Sequence, residues 1–130
     1  MADKEQVAIL KQGANAWNEW RATHALARPD LAHAPLCGLD LVNVDFAGAD
    51  LHDADLRGTV LKGASLVGAN LAGAYLFKTV LDGADLSGAN LVGARFLSCP
   101  QLAAALHWES TWRDLDLACG AHIPLRPGSP

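Results

Sequence analysis

Every fifth residue from position 31 to position 96 is Leu or Phe: Leu31, Leu36, Leu41, Phe46, Leu51, Leu56, Leu61, Leu66, Leu71, Leu76, Leu81, Leu86, Leu91 and Phe96. The residue two places before is usually Ala, with Thr59 and Thr79 as variants, and the residue between the two is often Asp or Asn. Two places after, nine of the fourteen positions are Gly, from Gly38 to Gly93. A period of five suits neither regular element. On a helix, successive leucines would fall about 140° apart and make no stripe; on a straight strand each step of five changes face. A chain that bends once per repeat satisfies the pattern. Ala and Leu, two apart in a short extended side, both point inward, the residue between them points out, and Gly takes the corner.

Four such sides close a turn of about twenty residues, and the sequence carries that longer period as well. Thr59-Val60-Leu61-Lys62-Gly63 returns as Thr79-Val80-Leu81-Asp82-Gly83, and Ala69-Asn70-Leu71-Ala72-Gly73 as Ala89-Asn90-Leu91-Val92-Gly93. Stacked turns then align Asp30, Asp50, Asn70 and Asn90 in one column.

These residues resemble the pentapeptide-repeat family, whose motif is a small residue, Asp or Asn, Leu, and two variable residues. The resemblance covers 29–98 and implies an all-β solenoid, a right-handed quadrilateral β-helix of about 3.5 turns. It places Phe46, Leu51, Leu56, Leu61, Leu66, Leu71, Leu76, Leu81, Leu86, Leu91 and Phe96 in the core. Pro29, Pro35, Leu39 and Val44 depart from the motif, so an irregular first turn is expected.

An open solenoid exposes its end rungs and its leucine core, so caps are expected at both ends. Residues 1–28 provide one: over 4–26, Val7, Leu10, Ala14, Trp17 and Arg21 follow helical spacing, and Pro29 stops the helix. The stretch from Leu10 to Arg21 is similar to the helical leader of many bacterial pentapeptide-repeat proteins, and Trp17 with Trp20 is expected to cover the first turn. Residues 99–130 provide the other cap. Helix formers fill 101–118, with Leu102, Leu106, Trp108, Trp112 and Leu115 turned toward the last coil, before an irregular tail from Gly120.

At 130 residues the chain has room for one core. It holds no run of 18 apolar residues and begins Met-Ala-Asp-Lys-Glu-Gln, so neither a transmembrane helix nor a secretory signal is expected. A net charge of −4 argues against direct nucleic-acid binding. Three cysteines, with none closely paired in sequence, suit a reducing cytoplasm better than a disulfide framework.

Candidate chemistry is sparse. Cys99, His107, Cys119 and His122 offer zinc-type donors, but only Cys119 and His122 have a usual ligand spacing; a buried cysteine and exposed histidines account for the set more simply. Paired carboxylates such as Asp50, Asp53 and Asp55 lack a water-excluded cleft, because Leu fills the coil and its faces are flat. The Asp before each Leu is explained by bonds to nearby turn amides. No enzyme and no cofactor are therefore expected.

The expected function is a non-enzymatic protein-interaction module for an unidentified protein partner, cytoplasmic, and monomeric or weakly dimeric. The candidate surface gathers the outward Tyr75, Phe77, Val60, Val80 and Leu97; either it meets a partner, or the C-terminal segment with Trp108 and Trp112 folds over it. The resemblance implies an alternative, a DNA mimic that binds a type II topoisomerase. A stack of about 17 Å corresponds to a duplex carrying roughly ten charges, whereas the coil nets −4 from eight Asp against Arg57, Lys62, Lys78 and Arg95. Six of those Asp lie between positions 30 and 55, which makes the first half of the coil acidic. A Cys/His-dependent activity in the C-terminal segment ranks third.

Overall fold

The computed structural model describes residues 2–125. Its centre is a coil built from one turn repeated. The carbonyl of each central Leu accepts the N–H three residues on, from Leu31 with Ala34 to Leu91 with Ala94. The third residue of that turn has positive φ, as at Gly58 (67°) and Gly68 (65°), which is why Gly recurs there. His33, Asn43, Asp53 and Lys78 take the same left-handed conformation without that freedom.

Each side of the coil is short, and its ladder consists of a single bridging residue. Asp30 pairs in parallel with Asp50, Pro35 with Asp55, Asp40 with Val60 and Asp45 with Ser65, and the same offset of twenty continues to Tyr75 with Arg95. Four such columns make the coil quadrilateral. The bridging Asp or Asn also holds its own corner, its Oδ1 accepting the N–H two residues on, as Asp45 does from Ala47 at 3.0 Å and Asn90 from Val92 at 3.0 Å. Along one column the side chains bond to each other, Asn90 to Asn70 and Asn70 to Asp50.

The core is a stack of the small and central positions. Leu31 through Leu91 and Phe46 are buried, together with Ala34, Ala49, Ala54, Ala64, Ala69, Ala74, Ala84 and Ala89. Thr59 and Thr79 replace Ala without an unpaired hydroxyl, because Thr59 Oγ1 donates to the Leu36 carbonyl at 2.7 Å and Thr79 Oγ1 to that of Leu56 at 2.6 Å. The irregularity expected of the first turn is absent. Pro35 bridges on the outermost edge, where no N–H is required. Val44 is fully buried, and the larger Leu39 is half-buried with a slightly longer turn bond of 3.4 Å.

The N-terminal cap is two helices rather than one, α1 (Lys4–Lys11) and α2 (Ala14–Thr23), divided at Gly13 with φ 112°. The expected inward stripe survives the break: Leu10, Trp17 and Arg21 are buried. Trp17 meets Phe46 edge to face at 5.6 Å and covers the end of the core. Three side chains of α2 also satisfy the backbone of the uncovered turn. Asn18 donates to the Asn43 carbonyl and accepts the Asp45 N–H, Trp17 Nε1 donates to the Asp45 carbonyl, and Arg21 donates to the carbonyls of Ala27 and Ala47.

The C-terminal cap is largely not helical, contrary to the sequence expectation. It holds one short helix, α3 (Cys99–Ala103), and two 3-10 turns, Trp108–Ser110 and Leu115–Leu117. Instead of folding over the coil's side, the segment adds two more rungs to the stack, Leu106 beside Asp85 and Trp112 beside Asn90. Leu102 is buried as expected, whereas Leu106 and Leu115 are exposed and Leu117 is buried in their place. Arg113 lies at the centre of this cap, 4% exposed, with the guanidinium in reach of the carbonyls of Trp108, Glu109, Thr111, Leu117, Ala118 and Ala121. Burial lowers its pKa, against the pull of Glu109.

Phe96 corrects the core assignment. Ser98 starts α3 with a capping box to Gln101, and Gln101 Nε2 ties that helix to the carbonyls of Leu76 and Thr79. The chain leaves the coil directly after Arg95, Phe96 takes φ 59° and is 66% exposed, and Leu97 packs against the core instead. Cys99 and Cys119 form a disulfide, contrary to the expectation of unpaired thiols, while Cys37 is free and exposed. Among the described residues, no helix is long and apolar enough to cross a membrane. The end of the tail, 126–130, lies outside the described residues.

Candidate functional site

The outward residues of one side of the coil form an aromatic and cationic face. Asp55 begins it, accepting a two-pronged bond from Arg57, Nε at 2.8 Å and Nη2 at 2.7 Å. That bond lowers the Asp55 pKa and raises that of Arg57, so both are charged at neutral pH. One turn on, Tyr75 stacks over Asp55 and lies between two guanidinium groups, Arg95 at 4.1 Å and Arg57 at 5.9 Å from its ring centre. Arg95 also hydrogen-bonds the Tyr75 hydroxyl and reaches Asp53 Oδ1 at 3.1 Å.

Two phenylalanines complete the face. Phe77 and Phe96 meet edge to face at 6.1 Å, Tyr75 lies 6.5 Å from Phe96, and the Lys78 ammonium sits 5.4 Å from the Phe77 ring centre. Phe77 is 50% exposed. Arg57, Phe77 and Phe96 line a shallow depression of about 250 Å³. Backbone bonds to neighbouring turns hold the main chain at Tyr75, Phe77 and Arg95, as the Gly58 N–H does to the Phe77 carbonyl at 2.9 Å.

Of the surface expected from sequence, Tyr75 and Phe77 lie together here. Val60 and Val80 pair with each other on the adjoining side and are half-buried. Leu97 is withdrawn toward the core, and Phe96 occupies the exposed position expected of it. Arg95 lies beside Tyr75, as the column expects, whereas sequence reasoning missed Arg57 and Lys78 as members. The signal was available in the twenty-residue column, which sets Arg57 against Phe77 and Tyr75 against Arg95. The metal candidates Cys119 and His122 do not form a site: the Cys119 sulfur is bonded to Cys99, and His122 is exposed.

No curated protein matches the sequence. Solved structures similar to it include three pentapeptide repeat proteins. One is a pentapeptide repeat protein of the Arabidopsis thaliana thylakoid lumen, 30% identical, with 71% of this chain and 68% of that one covered and a TM-score of 0.36. Another is the pentapeptide repeat protein Rfr23 of the cyanobacterium Cyanothece 51142, 30% identical over 59% of this chain and 51% of that one, with a TM-score of 0.35. The third is HetL, a pentapeptide repeat protein involved in heterocyst differentiation regulation in Nostoc sp. strain PCC 7120, 22% identical over 62% of this chain and 56% of that one, with a TM-score of 0.23. The match thus spans about half the length of Rfr23 and of HetL. The family model described as pentapeptide repeats (8 copies) matches twice, over residues 30–63 and 64–96. With over half of its length in that repeat, this chain belongs to the pentapeptide repeat family.

Proposed function

We propose that the protein is a non-enzymatic interaction module, a right-handed coil whose aromatic and cationic face docks an acidic, aromatic-bearing segment of a partner protein. The observation that carries this reading is the pair Phe77, on a hydrogen-bonded rung, and Phe96, just beyond the last rung, both exposed and bordered by Arg57, Lys78 and Arg95. Interfaces are enriched in aromatic residues and Arg, and an anchor held in place beforehand loses little freedom on binding. The leucine-filled interior and shallow outer depressions favour binding over catalysis.

The DNA-mimic alternative draws less support. Asp45, Asp53 and Asp55 each lie beside an arginine, Asp45 near Arg21 at 3.9 Å, so half of the six carboxylates in the acidic half are already paired with a cation. The disulfide also bears on location. Such bonds persist in oxidising compartments, which weighs against the cytoplasmic site expected from the cysteine count.

The test is a peptide array of acidic, neutral and basic sequences, each with and without an aromatic residue. Wild type is expected to retain the acidic aromatic peptides in a salt-sensitive way, and Phe77→Asp to lose them with an unchanged melting temperature. Equal retention of acidic and basic peptides, or retention by Phe77→Asp, overturns the reading.

A further inference from the structure

Two rungs on the acidic half of the coil place two imidazoles and a carboxylate side by side. His33 and Asp53 occupy the same corner one turn apart, and His52 precedes Asp53. His33 Nε2 lies 3.7 Å from Asp53 Oδ2, the His33 and His52 rings stand edge to face at 5.0 Å, and a donor atom from each residue lies within 4.8 Å of the others. We propose that His33, His52 and Asp53 form a surface binding site for a divalent transition cation, with Zn²⁺ as its first candidate, water completing the coordination.

The donor set suits such an ion: two neutral imidazoles and one carboxylate, with bonds of about 2.0–2.2 Å. Ligand atoms around a tetrahedral ion stand about 3.3–3.5 Å apart at those bond lengths. The His33–Asp53 pair is close to this already, and the His52 ring beside it is partly exposed.

The surroundings orient each donor. His52 Nδ1 is bonded to Asp50 Oδ1 at 2.7 Å; a carboxylate accepts, so Nδ1 carries the proton and Nε2 is the nitrogen left to act as a metal donor. Asp50 is itself held by Asn70 Nδ2 at 3.3 Å. Arg95 takes Asp53 Oδ1 at 3.1 Å and leaves Oδ2 toward His33. Gly73 accommodates that carboxylate, since a Cβ there would come within 2.2 Å of Asp53 Oδ1. Backbone bonds fix the spacing, the His33 N–H donating to the His52 carbonyl at 2.9 Å.

The backbone supplies a separate observation. His33 (φ 62°) and Asp53 (φ 55°) hold left-handed corners where their column-mates are Gly73 and Gly93. His52 likewise stands in a column with Ala32, Ala72 and Val92. Elsewhere in these two columns the positions carry Gly, Ala or Val, and here three potential ligands meet at one place.

That fact provides the test. His33→Gly with His52→Ala restores residues the same columns carry elsewhere, so this double variant is expected to melt no lower than wild type without metal. Untagged wild type should bind one equivalent of Zn²⁺ in a calorimetric titration and melt higher in its presence; the double variant should do neither. Asp50→Asn should weaken Zn²⁺ binding by about 10–100-fold by loosening the His52 ring. Absence of saturable Zn²⁺ binding by wild type overturns the proposal, and so does equal binding by the double variant, which would place the ion elsewhere.

Discussion

Asn18 Oδ1 accepts the backbone N–H of Asp45 at 2.8 Å, at the position where the next rung down, Ser65, finds the Val44 carbonyl at 2.9 Å. The same amide donates from Nδ2 to the Asn43 carbonyl at 2.9 Å, so one helical side chain serves as a missing turn of main chain. Replacing it with Ala should leave a donor and an acceptor unpaired at a partly buried edge, costing about 1–3 kcal/mol. Asn18→Asp keeps the acceptor and should cost less. Denaturant titration of the two variants checks the order, and equal losses would assign the effect to packing.

The inward and outward assignment has a direct measure. Leu66 and Leu71 are buried, while Val67, between them in sequence, is 40% exposed. Leu66→Ala or Leu71→Ala should cost about 2–5 kcal/mol, and Val67→Ala about 0.5 kcal/mol or less. Urea midpoints for the three variants should separate accordingly.

The disulfide closes a segment of sequence separation 20 that contains Arg113 and both added rungs. Replacing Cys99 and Cys119 together with Ser should cost about 3 kcal/mol, if the loop's freedom in the unfolded chain is the main term. Calorimetry on the variant and on reduced wild type should give matching drops in melting temperature.

Acid should destabilise the coil in a particular window. Bonds from Ser87 lower the Asp85 pKa below its ordinary 3.8, and the bond from Arg57 does the same for Asp55. A carboxylate whose pKa is lowered on folding contributes stability that is complete above the unfolded value and is lost as pH falls through the folded one. Ser87→Ala should therefore be less stable than wild type at neutral pH, and the gap should shrink below about pH 4. A gap unchanged by acid would show that Ser87 acts by other means.

The coil itself was legible because its rule is local: inward, outward and corner positions recur within five residues, and each is marked by residue type. Phe96 shows where the rule ends. It carries the right residue at the right interval, but Ser98 and Gln101 start a helix two residues later and draw the chain away. The caps were harder for the same reason. Their contacts, such as Trp17 with Asp45 or Arg113 with Ala121, join residues by no repeated spacing. The aromatic face was half legible, since Tyr75 and Phe77 are neighbours in sequence whereas Arg57 and Arg95 join them only through the column.

An arginine closes each end of the stack. Arg21 reaches the carbonyls of Ala27 and Ala47 in the first turn, and Arg113 gathers those of the last loop. Both are specific to the termini, whereas the main-chain pattern of the turns between them repeats. Gene-level duplication of twenty codons inside the coil, from Leu61 to Val80 for instance, would lengthen the molecule by one storey of about 4.8 Å without disturbing either lid. Growth in this chain would belong to the middle, as a count of storeys between the ends that Arg21 and Arg113 close.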